Sequence, residues 1–367
     1  MSGYATRSPV VERGTDDAGT TTSDMLALPS GQNHSARGPE RLPAFLALAK
    51  QTGGVYAENQ AGMTVEQALT AADLDFTVSL HEFGTMLEDP SSNNLAPTTW
   101  VPGVDKMRNV IATSRKGRRR SMGVAGKGYK PVQPRQAAQF GQAVLEEGGA
   151  TVVAAAGYGD PQGSRMYLAL KMPEGIKVGG QDAHDLYLTI GNSFNRETGL
   201  WGCVAPIRIA CTNQAAATFG KFSNRFILRH TGDMEGKVSE VQYALKLTNG
   251  FAEQYALFAE KMLGQRMFGT EIDNFLEKVL ATPARVATDR GEEQWADRRR
   301  EVKTIITSGD NNEFGRGTRY AAYQGVAEWA DWRSKANTDL GRYTRLVDGG
   351  EVENIKIRAA SLLMSGV

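Results

Sequence analysis

Five cationic side chains fall within six positions in the run Arg115-Lys116-Gly117-Arg118-Arg119-Arg120. Ammonium and guanidinium groups at that density attract phosphate oxygens, by charge and, for Arg, through paired N–H donors. The wider stretch from Trp100 to Arg135 holds ten Lys/Arg against one acid, Asp105, in a chain of net charge +1. Residues 1–99 carry five basic and twelve acidic side chains, and residues 136–367 come out near −1. The positive field is therefore local, which is the pattern expected of a surface that meets a polyanion such as nucleic acid. A solvated basic loop is the alternative reading of the same residues.

Other positions invite chemistry and have plainer readings beside it. Lys127, Tyr129 and Lys130 interleave a ring with two cations, as sequence-tolerant single-strand binders do, and core packing accounts for Tyr129 equally well. Arg208, Cys211 and Asn213 suggest a cysteine nucleophile beside an anion contact. In a strand, however, Ile207, Ile209, Cys211 and Asn213 share one face, so Cys211 reads as a core residue and Asn213 as a helix cap. Arg208 then projects to the other face, toward phosphate or a carboxylate. His230 has no Ser, Cys or paired acid at a telling spacing and reads as structural. Asp182, His184 and Asp185 could hold a divalent metal in a nuclease, or could simply be a polar loop. Gly126-Lys127-Gly128 lacks the spacing of a phosphate-binding P-loop. No catalytic residue, metal ligand or cofactor is assigned on this basis.

Two cysteines and four scattered His rule out zinc-type ligand spacing. If Cys203 and Cys211 lie in one strand, they are roughly 26 Å apart, far beyond the reach of a disulfide. No run approaches the ~20 apolar residues needed to cross a bilayer, and Met1 to Asp17 lacks the apolar core of a secretory signal. A soluble, cytoplasmic protein without membrane partners is expected.

The elements that must position these residues form an α+β pattern. Residues 1–62 are rich in Gly, Ser, Thr and Pro and read as a largely disordered tail, with a short helix at Leu42–Lys50. Thr64-Val-Glu-Gln67 is a capping box that opens a helix, and Leu74, Phe76, Val78 and Leu80 alternate as a half-buried strand. Residues 85–99 read as a polar loop. Runs 107–114 and 121–126 form a hairpin around the Arg-rich turn, and a helix begins at Pro134 and stops at Gly148-Gly149. Runs 151–158, 166–172, 185–193 and 200–211 predict one antiparallel meander, followed by a helix over 214–219. From Asp233 onward the pattern is helical, with Tyr320, Tyr323, Trp329 and Trp332 as a packing face. The expected division is tail, core (63–232) and helical C-terminal region (233–367).

Two stretches carry a family likeness. One is Gly123-Val-Ala-Gly-Lys-Gly-Tyr-Lys-Pro-Val-Gln133. The other runs through Gly191-Asn-Ser-Phe-Asn195, Pro206-Ile-Arg-Ile-Ala-Cys-Thr-Asn213 and Arg229-His-Thr-Gly232. Together they resemble the phage/plasmid-like proteins, a prokaryotic and phage-borne family defined by a domain of unknown function. The likeness spans about residues 63–332 and implies a phage, prophage or plasmid setting, without a mechanism. The chain departs from it at Arg115–Arg120, where relatives tend to a mixed or acidic turn. The order of elements also resembles the core of the single-strand annealing recombination proteins, an analogy of fold alone.

The leading expectation is a nucleic-acid-binding protein, in recombination or replication and able to form homo-oligomers, that binds through Arg115, Lys116, Arg118, Arg119, Arg120, Lys127, Tyr129, Lys130 and Arg208. A metal-dependent nuclease and a protein-interaction component with a basic loop are the rivals.

Overall fold

The computed structural model describes residues 42–56, 63–88, 98–209, 212–216, 218–219, 222–227, 234–280 and 289–365. Cys211 and Arg229–Gly232 lie outside the described residues. Residues 39–367 form one compact unit.

The described chain begins with α1 (Ala44–Thr52), the short helix expected near Leu42. Phe45 and Leu48 are buried and Tyr167 donates to the Phe45 carbonyl, so this stretch belongs to the core and not to a tail. β1 (Val55–Tyr56) follows. α2 (Val65–Ala71) opens on the expected capping box: Thr64 Oγ1 accepts from Gln67 N at 3.1 Å, and Gln67 Oε1 accepts from Thr64 N at 2.9 Å. Leu74, Phe76 and Val78 are buried in the alternation read from sequence, although the paired strand β2 starts only at Thr77 (Thr77–His81).

β3 (Gly84–Glu88) and β4 (Thr98–Pro102) pair antiparallel where a polar loop was expected. The β-branched and aromatic run Thr98-Thr-Trp-Val101 favours a strand, and the Pro and Asn that suggested a loop fall between the two strands. β5 (Met107–Thr113) and β6 (Arg119–Gly126) form the expected basic hairpin and join β2 in a three-stranded sheet, order β2-β5-β6.

α3 (Pro134–Gly148) starts at its proline and ends at Gly149 in the left-handed conformation. Just before it, the Gln133 carboxamide accepts from Val78 N at 2.7 Å and donates to Val78 O at 2.9 Å, tying this helix to β2. The meander is β7 (Thr151–Tyr158), β8 (Arg165–Lys171), β9 (Ile176–Val178), β10 (Asp182–Ser193) and β11 (Trp201–Arg208). Short strands β12 (Thr218–Phe219), β13 (Phe222–Ser223) and β14 (Arg225–Ile227) follow. The large sheet has seven strands, order β1-β7-β8-β10-β11-β14 with β9 beside β10, and its pairs are antiparallel. Leu168, Leu170, Leu188, Ile190 and Val204 are among its buried side chains.

Two details differ from the sequence reading. β11 ends at Arg208, and Ile209 is 57% exposed, so the strand parity drawn through residues 209–213 does not hold. Among the described residues of 214–219 none is helical, and the N–H groups of 214–216 bond elsewhere. Gln214 N donates to the Asp331 carboxylate at 2.9 Å, Ala215 N to Pro206 O at 3.0 Å and Ala216 N to the Tyr323 hydroxyl at 3.1 Å. Asn213 is buried against Gln324 instead of capping a helix.

The C-terminal part is helical: α4 (Met234–Leu263), α5 (Thr270–Leu280), α6 (Asp289–Ser308), α7 (Arg319–Glu328), α8 (Asp339–Asp348) and α9 (Glu351–Ser365). α7 runs into a π-helical turn, Trp329–Arg333. Tyr320 and Tyr323 are fully buried and Trp329 nearly so, as a packing face requires.

Candidate nucleic-acid interface

The hairpin turn is built by its own residues. Ser114 N donates to Arg118 O at 2.9 Å, Ser114 Oγ accepts from Arg118 N at 3.1 Å, and Gly117 takes the left-handed conformation (φ 75°) that a side chain disfavours. Arg115, Lys116, Arg118, Arg119 and Arg120 are all exposed. They are not equivalent. Arg115 pairs with Asp75 at 2.8 Å, and Arg120 lies over the Phe76 ring (5.1 Å to its centroid) with Asp73 at 3.7 Å. Among the described residues, none forms an ion pair with Lys116, Arg118 or Arg119. Arg118, Arg119 and Arg120 line a cleft of about 240 Å³ whose other walls include Phe76 and Asp73.

Lys127 and Lys130 are exposed at the opposite end of the hairpin, beside Lys106, whose carbonyl accepts from Lys127 N at 2.9 Å. The eight residues of β6 put about 24 Å between the two basic ends. Tyr129 does not stand free beside them. It is half-buried against the core, its hydroxyl donates to Ser193 O at 3.3 Å, and burial raises its pKa while Arg196 pulls it back.

Arg208 does not share the solvent-exposed setting of the hairpin cations. It is 2% exposed, its Nε donates to Asp182 at 2.6 Å, and its Nη1 donates to the Asn311 carbonyl. The register pairs His184 with Arg208 across β10 and β11, which brings Asp182, two positions along the same face, within reach. Tyr320 donates to the same carboxylate at 2.5 Å, and His184 Nε2 lies 3.1 Å from the Tyr255 hydroxyl. Burial lowers the His184 pKa to about 4, against an opposing pull from Asp182. A second buried pair, Lys356 and Asp331 at 2.7 Å, lies behind residue 214.

The metal reading of Asp182, His184 and Asp185 fails on strand parity. Asp185 points to the other face, bonded to Lys171 at 2.9 Å and to the Tyr187 hydroxyl at 3.3 Å. Among the described residues, no group of three His, Cys, Asp or Glu side chains converges as metal ligands would. Cys203 is a free thiol whose pKa burial pushes up to about 11, unsuited to a nucleophile. Among the described residues, no helix is long and apolar enough to cross a membrane.

Sequence reasoning missed the acids that face the hairpin. Asp73 and Asp75 lie in the alternating run before β2, and the pairing of β2 with β5 brings them to the turn. It also missed Trp100, 46% exposed on β4, which marks the first residue of the basic stretch.

No curated protein and no solved structure matches this chain. The sequence pattern of the family described as Domain of unknown function (DUF932) matches residues 121–359, starting within β6 just after the Arg-rich turn. That match covers more than half of the sequence, and it takes in the whole meander together with nearly all of the helical region packed on it: the chain belongs to the DUF932 family.

Proposed function

We propose that this protein binds nucleic acid through the tip of the β5–β6 hairpin. One observation carries the reading: Lys116, Arg118 and Arg119 are exposed with no acidic partner among the described residues, and two of them border a cleft large enough for a phosphate group. Arg115 and Arg120 contribute less, because Asp75 and Asp73 already occupy them. The phage- or plasmid-borne setting rests on the family likeness, a role in single-strand binding or annealing during recombination or replication rests on the analogy of element order, and both belong to the same proposal. So does self-association.

Fluorescence anisotropy with single- and double-stranded oligonucleotides across a salt series tests it, with and without magnesium. Three phosphate contacts at the tip contribute about −2 to the slope of log affinity against log salt on a single strand, at about −0.7 each. The variant K116A/R118A/R119A should lose that contribution and weaken all sequences alike, since phosphates carry no sequence information. Absence of binding at low salt, or an unchanged slope in the folded variant, overturns the proposal. Magnesium-dependent loss of the oligonucleotide would point to a nuclease instead.

A further inference from the structure

The β3–β4 hairpin leaves one large ring in solvent. Trp100 is 46% exposed, and Val101 and Val104 beside it are 43% and 65% exposed. Among the described residues, β3 and β4 pair only with each other. The indole is nevertheless held on one side. It lies against Gly84, where an added Cβ would come within 2.7 Å of the indole Cζ2, so the absence of a side chain makes room for the ring while 46% of the residue stays exposed. The strand is rooted at the Lys-rich end of the basic hairpin. Gly103 N donates to Phe83 O at 2.7 Å, Met107 N to Val104 O at 2.9 Å and Lys127 N to Lys106 O at 2.9 Å. Lys106, Lys127 and Lys130 are all exposed there.

We infer that this arm is a base-stacking platform for single-stranded nucleic acid, with Trp100 receiving an unpaired base and Lys106, Lys127 and Lys130 holding the flanking phosphates. The inference rests on the proposed nucleic-acid binding and adds the ring and cations that would read a single strand. A π-face on an arm rooted among cations is recognised by a base whose own face is free, and in a duplex those faces are stacked inside. Held open and backed by the Gly84 backbone, Trp100 is ordered before the base arrives, which lowers the entropy lost on stacking.

The test uses the full chain with oligothymidine, oligouridine and a duplex of equal length, read by anisotropy and by intrinsic tryptophan fluorescence. Single strands should quench the fluorescence and the duplex should not. Trp100→Ala should abolish that quench and weaken single-strand binding about tenfold, one stack of about 1.4 kcal/mol, while leaving duplex binding unchanged. Trp100→Phe should retain most of the affinity, which separates stacking from any loss of fold. If wild type binds no strand at low salt, both readings fall. If binding responds to K116A/R118A/R119A but Trp100→Ala binds and quenches like wild type, only the platform falls.

Discussion

The hairpin tip and the junction of β10 and β11 with α7 use the same residue types to opposite ends. At the junction the charges are desolvated and matched: Arg208 and Asp182 at 2.6 Å, Lys356 and Asp331 at 2.7 Å, with all four side chains at most 4% exposed. At the tip, Lys116, Arg118 and Arg119 stand in water with no acid paired to them among the described residues. A buried cation needs its partner, because burying a lone charge costs far more than one ion pair returns. An exposed cation keeps its hydration and remains available to a ligand. Whether an Arg is structural or available thus depends on which acid the fold delivers to it, and the local density of charge does not reveal this.

The comparison breaks most visibly in stability. Lys356→Met leaves the Asp331 carboxylate buried without its ammonium partner, and Arg208→Leu does the same to Asp182. Each should cost about 3–5 kcal/mol. K116A/R118A/R119A should move stability by no more than about 0.5 kcal/mol per substitution, as surface changes do. Urea unfolding midpoints check all three. Similar losses at tip and junction would show that the tip cations also hold the fold together.

A smaller effect at the junction comes from His184. Its pKa in the folded protein is about 4 against an ordinary 6.5, because burial penalises the charged ring. The unfolded chain takes up this proton as pH falls through 6.5, and the folded chain does so only near 4. The stability that keeps His184 neutral is therefore complete above pH 6.5 and is lost as pH drops toward 4, by about 3 kcal/mol. His184→Gln removes this dependence, so the stability gap between wild type and variant should shrink or reverse by about that amount between pH 7 and pH 4. A gap that stays constant would mean that the ring takes up its proton at the same pH folded and unfolded, so that burial does not depress its pKa.

The sequence disclosed what is local. The Thr64 capping box, the Pro134 start, the turn signals at 159–163 and 195–199 and the helical spacing of α5 all reappear, because each depends on residues a few positions apart. What it hid is long-range. The run after Asn213 has a helix signature, yet Asp331 and Tyr323, more than a hundred residues away, take its N–H groups. Arg208 looked like a phosphate ligand because Asp182 becomes its neighbour only through the register of β10 and β11. Of the candidate interface, the hairpin and its charge were legible; the division of its five tip cations into paired and unpaired was not.

That division yields the smallest and sharpest effect. Arg115 is held by Asp75 at 2.8 Å, and the Arg side chain is 53% exposed, so the pair contributes at most about 1 kcal/mol to stability. Asp75→Asn keeps the side-chain shape, removes the carboxylate charge and releases Arg115 for a ligand. One more phosphate contact on a single strand should steepen the salt slope by about 0.7 relative to wild type. Affinity should rise at low salt and converge with wild type at high salt, where the added contact is screened. Asp75→Asn combined with Arg115→Ala should return the slope to the wild-type value, since no released cation remains. A slope that does not move in the single variant would mean Arg115 is turned away from the bound strand, and the interface would then lie wholly on the side of the turn that carries Arg118 and Arg119.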